Sequence, residues 1–310
     1  MSFILWKNSN LDTQVTNARC NKGYVALRKL SLASSSRKVL AKGTKKLIAL
    51  DFDGVICDSV NESSMSAFKA ACVQWPVLFR SEHAQSSQKH LIDLMRISRP
   101  VVETGFENVV LIRCLLEGVP VEKILTNWST ILAEKMVLWN LNRNELIKIF
   151  AEVRDDWIQK DLKGWIHANR LYPSPAAVLK KLVSQRLAHS YIVTTKQARY
   201  TDLILREMAG IELDPDHIIS QTVSGRPKSE VLEELGAKHP ETAQQPRSRI
   251  FVEDKLSTLE KTEKMTSLKD WELILVDWGY NTDAERKRTV ASENRINVIG
   301  TTDFEKVLLE

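Results

Sequence analysis

Two carboxylates stand two residues apart in the run Leu50-Asp51-Phe52-Asp53-Gly54-Val55-Ile56-Cys57-Asp58-Ser59. The residues before them, Lys46 to Leu50, are largely apolar and alternate little. That reads as a strand buried on both faces of a parallel sheet. Carboxylates at the end of such a strand are expensive to desolvate unless something pairs with them. A hard divalent cation, Mg²⁺, is the natural partner, because it takes carboxylate and carbonyl oxygens. Gly54 lets the chain turn sharply just past the pair. An EF-hand calcium loop does not fit, since the spacing D-x-[DN]-x-[DN]-G is absent. The plain alternative is two solvated aspartates before a glycine turn.

Four later segments place chemistry-bearing residues at the ends of apolar strands or the start of a helix. Ile192-Val193-Thr194-Thr195-Lys196 is a strand that ends in hydroxyls. Gly225-Arg226-Pro227-Lys228-Ser229-Glu230-Val231-Leu232 sets a lysine at the start of a helix. Phe251-Val252-Glu253-Asp254 is a strand that ends in two acids, and Asp277-Trp278-Gly279-Tyr280-Asn281 follows the next strand. Each has an ordinary reading: Thr194 capping a helix, Lys228 as a surface lysine, Glu253 and Asp254 as a solvated strand end. Their order together with Asp51 and Asp53 is what makes the set specific.

In that order the segments resemble the four motifs of the haloacid dehalogenase (HAD) superfamily, whose first motif is DxDGxxxDS after an apolar strand. The WGY turn resembles that of phosphoglycolate-phosphatase-like members. The resemblance covers residues 46–310. The middle, with Arg99-Pro-Val-Val-Glu-Thr-Gly and Arg154-Asp-Asp-Trp, is most similar to plant HAD-like hydrolases of unsettled substrate. It implies an α/β fold: a Rossmann-like three-layer core with a parallel sheet and an inserted α-helical cap. It also implies a Mg²⁺-dependent phosphatase acting on a small phosphomonoester through an aspartyl phosphate. Asp51 would be the nucleophile, and Asp53 the general acid and base. Thr194 and the amide of Thr195 would bind phosphate, and Lys228 would offset charge between Asp51 and the phosphoryl group. Asp51, Asp53, Glu253 and Asp254 would hold the metal. A phosphomutase, or a binding protein that kept the fold, are the competing readings.

The sequence departs from the family pattern in places. Many members carry an acid four residues after the Asp254 position, where this chain has Thr258. Arg226 is a rival to Lys228, since relatives often place the lysine before the proline. Asp53 argues against dehalogenase chemistry, whose enzymes lack that second aspartate.

These residues need elements to hold them. Ser59 with Glu62 predicts a capping box that opens a helix, and Thr104 with Glu107 predicts another. Apolar residues at Val109, Ile112, Leu115, Leu116 and Val119 mark one helix, and Leu146, Ile149, Phe150, Val153 and Trp157 mark a second. From Tyr172 onward strands alternate with helices, with Ser174-Pro175 reading as an N-cap and first-turn proline. The predicted strands are Ser190–Val193, His217–Ile219, Ile250–Val252, Leu273–Val276 and Ile296–Ile299. The last helix opens at Thr302, and 236–249 reads as a surface loop. A parallel sheet follows, split as 46–60 and 172–310 around a helical cap at 61–171. An insert directly after the first strand lies at the carboxyl end of the sheet, where open α/β sheets bind ligands. Arg99, Glu103, Arg154, Asp155, Asn169 and Arg170 are polar groups flanking the cap helices and are the candidate substrate contacts, of which Arg99, Glu103 and Arg170 are singled out. Trp128, Trp139, Trp157 and Trp165 read as cap core.

The net charge of +5 over 310 residues is unevenly spread. It resolves into +9 over residues 1–46, which carry ten Lys/Arg and one acid, and −4 over the rest. The basic total therefore points to no nucleic-acid partner for the folded part. The first 42 residues, rich in Ser, Lys and Arg, have the composition of a transit peptide, to the plastid stroma or alternatively the mitochondrial matrix. The apolar runs are short, such as Val109 to Ile112, so no membrane span is expected. Four cysteines without a CxxC pair (Cys20, Cys57, Cys72, Cys114) suit a reducing compartment. The expected partner is a small phosphorylated metabolite; the oligomeric state is left open.

Overall fold

A computed structural model describes residues 45–220 and 225–310. The proposed transit segment lies outside the described residues.

Period-two alternation fixes the sheet. In strand β1 (Lys46–Leu50), Leu47 and Ala49 face one side while Ile48 and Leu50 face the other, and all four are wholly buried. Both faces are apolar because both are covered. Leu47 and Ala49 join Tyr191, Val193, Phe251, Leu273 and Leu275 in one apolar cluster. Ile48 and Leu50 join Ile192, Ile250, Val252, Ile274 and Val276 in another.

The other strands are β4 (Ala188–Thr194), β5 (Ile218–Ser220), β6 (Arg249–Glu253), β7 (Trp271–Val276) and β8 (Ile296–Ile299). Their order is β5-β4-β1-β6-β7-β8, with all pairs parallel. The fold is thus an α/β sheet with helices on both faces. Four strands match their predicted positions to within two residues at each end, and β1 and β8 match residue for residue. The chain leaves β1 toward β4 and β5 on one side, then returns to β6 on the other. That reversal puts a crevice at the carboxyl end of β1.

One face is covered by α8 (Pro173–Ser184), α9 (Ala198–Ala209) and the C-terminal helix, the other by α10 (Lys228–Lys238) and α11 (Leu256–Glu263). A short antiparallel ribbon, β2 (Cys57–Asp58) with β3 (Arg170–Leu171), brackets the insert. Between these strands lie α1 (Val60–Gln74), α2 (Pro76–Phe79), α3 (Glu82–Ser86), α4 (Gln88–Ser98), α5 (Glu107–Leu116), α6 (Val121–Leu138) and α7 (Arg143–His167). They build an apolar cluster of their own around Phe68, Phe79, Val109, Ile112, Trp128 and Phe150. Trp157 and Trp165, expected in that cluster, instead pack with the sheet-face cluster near Tyr200. Among the described residues, no helix is long and apolar enough to cross a membrane.

Two local expectations are corrected. The Ser59–Glu62 capping box does not form: Ser59 makes no side-chain cap bond, and both side chains are drawn into the site described below. Residues 236–249 are not a simple surface loop. They finish α10, form a 3₁₀ turn at Pro240–Gln244, and bury His239 and Thr242 before entering β6.

Candidate active site

Asp51 follows β1 directly, its N–H donating to the carbonyl of Val252 on the neighbouring strand at 2.9 Å. The chain then folds back on itself through Gly54, whose φ of +87° favours glycine. Close approach excludes a side chain there as well: an added Cβ would lie 2.0 Å from the Asp254 carboxylate. Gly279 closes Asp254 from the other side, where a Cβ would come within 2.3 Å of it. Between these two backbones the Asp254 carboxylate accepts the Tyr280 N–H at 2.7 Å, and Asn281 Nδ2 donates to the Asp254 carbonyl at 2.9 Å. The Trp278-Gly279-Tyr280-Asn281 turn is therefore the clamp that aims Asp254.

Lys228 opens α10 after Pro227 and reaches back to the sheet. Its Nζ lies 2.9 Å from Asp51 Oδ1 and 2.7 Å from Glu253 Oε2. Burial works against its charge, but the two carboxylates outweigh it and hold the ammonium above the usual lysine value. Arg226, the rival cation, pairs instead with Glu234 at 2.7 Å and is partly exposed.

The carboxylates respond to crowding. Burial, then the charge of Glu253, pushes the Asp51 carboxyl up to about 7 despite Lys228. Burial also raises Glu253 and Asp254. Asp51, Glu253 and Asp254 each offer an oxygen within 4.8 Å of the others. One lysine does not neutralise three buried acids, and an all-oxygen donor set suits Mg²⁺. The residues fit such an ion.

They do not all fit as ligands. Glu253 Oε2 takes Lys228, and Oε1 accepts the N–H groups of Asp254 and Lys255 at 2.9 and 3.1 Å. Asp51 and Asp254 are the carboxylates left to a metal. The side chain of Asp53, expected among the ligands, turns elsewhere. It accepts Ser59 Oγ at 2.6 Å and pairs with Lys196 Nζ at 3.3 Å. Burial raises its pKa, but Lys196, Arg99 and Ser59 outweigh burial and hold it below the usual aspartate value.

Lys196 was not singled out by sequence reasoning, because a lysine just past a strand normally reads as solvated. Here it is buried between Asp53 and Glu62, the latter 3.5 Å away. Glu62, wholly buried on α1, also takes Arg154 of α7 through two bonds of 2.7 and 2.9 Å, Ser66 Oγ at 2.7 Å and Trp165 Nε1 at 3.2 Å. No helical spacing links residues 92 positions apart, so the sequence carried no signal for this pair.

Two adjoining cavities, of about 140 and 240 Å³, share Asp53, Arg99, Glu103 and Thr195 as walls. Asp51, Lys228, Glu253 and Asp254 line the larger; Arg143, Ile147, Phe150 and Arg154 of α7 line the smaller. Thr195 stands on the wall, with its Oγ donating to the Glu103 carbonyl at 3.3 Å. Thr194 does not line the cleft; it is wholly buried and accepts the Lys196 N–H at 3.1 Å. Arg99 is nearly buried, with its guanidinium 4.1 Å over the Tyr280 ring, one nitrogen donating to Val102 O, and Nε without a hydrogen-bond partner. Arg170 does not reach the cleft: it sits on the β2–β3 ribbon, 77% exposed, 3.6 Å from Asp58. Asp155 pairs with Arg199 and Asn169 donates to Trp165 O, so neither faces the cavities. Lys255, beside Asp254, donates to the carbonyls of Arg99 and Pro100 and so ties the carboxylate cluster to the helical insert.

No family model matches the chain, and no curated protein matches it. Solved structures do. One, from Lactobacillus delbrueckii subsp. bulgaricus, is named a phosphoglycolate phosphatase by inference. It is 15% identical, covers 86% of this chain and 99% of its own, and has a TM-score of 0.51. A haloacid dehalogenase-like family hydrolase from Streptococcus pneumoniae is 15% identical, with 84% and 97% covered and a TM-score of 0.47. A phosphoglycolate phosphatase by prediction, from Haemophilus somnus, is 15% identical, with 86% and 99% covered and a TM-score of 0.49. At such identity the likeness is one of fold alone: a parallel-sheet α/β core that carries a helical insert.

Proposed function

We propose that this protein is a Mg²⁺-dependent phosphatase that hydrolyses a small phosphomonoester through an aspartyl phosphate on Asp51. The observation that carries the reading is Lys228, held within 2.9 Å of Asp51 and 2.7 Å of Glu253 at the carboxyl edge of the sheet. Asp51 and Asp254 would hold the ion. When bound, Mg²⁺ supplies the positive charge that keeps Asp51 ionised and offsets charge on the phosphoryl group.

The chain's own residues do the rest. Asp51 attacks phosphorus in line, while Lys228, fixed by Glu253, offsets the charge between nucleophile and phosphoryl oxygens. Asp53 gives a proton to the leaving oxygen, then takes one from the water that attacks the aspartyl phosphate. Lys196 and Arg99 hold Asp53 ionised, the state that the second step needs. An incoming phosphate dianion opposes them, and its charge favours the protonated form that the first step needs. The helical insert walls the cleft with Arg99, Arg143 and Phe150. Cavities of about 140 and 240 Å³ support a small metabolite as the substrate rather than a folded phosphoprotein.

The test is release of phosphate from a generic aryl phosphate. Turnover should need Mg²⁺, stop in EDTA, return on adding Mg²⁺, and be absent in Asp51→Asn with the fold retained. EDTA-resistant turnover, or full activity in Asp51→Asn, overturns the reading. Separately, residues 1–42 are proposed to direct the protein to the plastid, or to the mitochondrion. A fluorescent reporter carrying residues 1–45 that stays in the cytosol rejects that part.

A further inference from the structure

At the opposite edge of the sheet from Asp51, three side chains with no part in the reaction converge. His189 is the second residue of β4, His239 ends α10, and Glu241 lies in the turn after it. The His189 and His239 rings stack with centroids 4.0 Å apart. One oxygen, Glu241 Oε1, lies 3.4 Å from His189 Nε2 and also 3.4 Å from His239 Nδ1. These separations are long for charge-assisted hydrogen bonds, which run at about 2.7–2.9 Å. They match the ligand–ligand edge of a tetrahedral zinc site, roughly 3.3–3.4 Å for metal–ligand distances near 2.0–2.1 Å.

A second observation concerns the far nitrogen of His239. Its Nε2 is 2.8 Å from the hydroxyl of Tyr191, which is itself buried in the sheet. A histidine that ligates a metal ordinarily gives its other ring N–H to a fixed oxygen, which sets the tautomer and aims the ligating nitrogen. Tyr191 provides that oxygen and leaves Nδ1 directed at Glu241. Burial, followed for His189 by the neighbouring His239, holds both imidazoles below their ordinary value and therefore in the neutral form that binds metal. Lys45, His217 and Lys238 also face the pair.

We propose that His189, His239 and Glu241 form a second metal site, for a zinc-class divalent ion, separate from the catalytic carboxylates. Two imidazoles and one carboxylate select zinc-class ions over Mg²⁺, which prefers oxygen alone. His189 and Glu241 are part exposed, so a fourth position is open to water. A bound ion would tie the 3₁₀ turn after α10 to the start of β4, and its role is to fix that edge of the core. The assignment does not rest on the phosphatase reading.

The full chain is dialysed against Zn²⁺ with Mg²⁺ in excess, and retained zinc is measured by elemental analysis. Co²⁺ in place of zinc reports four-coordinate geometry through its visible absorption. One zinc per chain is expected in the wild type and in Asp254→Asn. His189→Asn and Glu241→Gln, both at part-exposed positions, should each weaken zinc binding by at least about tenfold and abolish the cobalt bands, with Mg²⁺-supported turnover unchanged. Zinc retention that is lost in Asp254→Asn, or that is equal in wild type and His189→Asn, overturns the assignment. So does a wild type that retains none.

Discussion

Replacing Glu62 by Gln tests the buried charge chain that stands behind Asp53. Glu62 is wholly buried and pairs directly with Arg154, at 2.7 and 2.9 Å, while Lys196 lies 3.5 Å away. Gln keeps the shape and can still accept one bond from Arg154, but it leaves two buried cations facing a neutral amide. Two charges about 4 Å apart interact by about 4 kcal/mol at an effective dielectric near 20. Breaking a buried pair by removing one partner costs about 3–5 kcal/mol. Because Gln retains one acceptor, we expect the lower end, about 3 kcal/mol, read as a shift of the urea midpoint at neutral pH.

The pH dependence gives the sign. Burial raises the Glu62 carboxyl, but Arg154 and Lys196 outweigh burial and hold it below its ordinary value of 4.5. A depressed carboxyl stabilises the fold above its unfolded pKa, and that stability is lost as pH falls through the folded one. The gap between wild type and Glu62→Gln should therefore be full at pH 7 and narrow below about pH 4.5. Adding Arg154→Met, which removes one orphaned cation, should recover part of the loss. A Glu62→Gln protein within about 1 kcal/mol of wild type at pH 7, the range of exposed pairs, would refute the reasoning.

Three further outcomes are expected. Asp53→Asn should lower kcat by about 10²–10⁴, the usual share of one general acid–base, and a variant with unaltered kcat removes Asp53 from the chemistry. Asp51, pushed up to about 7 by burial and Glu253, binds more protons folded than unfolded, so metal-free stability should fall as pH rises from about 4 to 7. Thermal scans should then show a larger upward shift on adding Mg²⁺ at pH 8 than at pH 5, and an equal shift would count against metal at these carboxylates. Arg99→Ala should raise KM for the preferred substrate while Arg170→Ala leaves it within twofold or so, because only Arg99 lines the cleft; the reverse ranking would reject the cavity as the binding site.

What the sequence disclosed divides along the range of the interaction. Strand positions were legible because a sheet covered on both faces requires continuous apolar runs such as Lys46–Leu50, and the runs of β1 and β6 lead directly into Asp51 and into Glu253 and Asp254, which line the cleft. Lys228 was legible as a helix-opening cation, but its choice over Arg226 rests on reach across the crevice, which only coordinates give. Local rules also failed where longer-range partners were stronger. Ser59 and Glu62 have the spacing of a capping box, yet an aspartate takes the hydroxyl and two cations take the carboxylate. Thr282 and Glu285, with the same spacing and no such competitors, form a complete box. Arg170 looked available because it ends the insert, but a two-residue ribbon turns it to solvent beside Asp58.

The chain Asp53–Lys196–Glu62–Arg154 crosses from the sheet edge into two helices of the insert. Lys196 divides its charge between Asp53 at 3.3 Å and Glu62 at 3.5 Å, nearly equal distances. If α1 moved so that Glu62 withdrew, Lys196 would be left to Asp53 alone and would depress that carboxyl further. An Asp53 so depressed is a weaker base and holds its proton only at lower pH, so less of it is in the protonated form. Glu62 in place, drawing part of the lysine charge, keeps Asp53 nearer the range in which it can both give and take a proton. The position of the helical insert and the proton affinity of the proposed acid–base group are thus linked through buried Lys196, beside the charges of Arg99 and Arg154 on the insert itself.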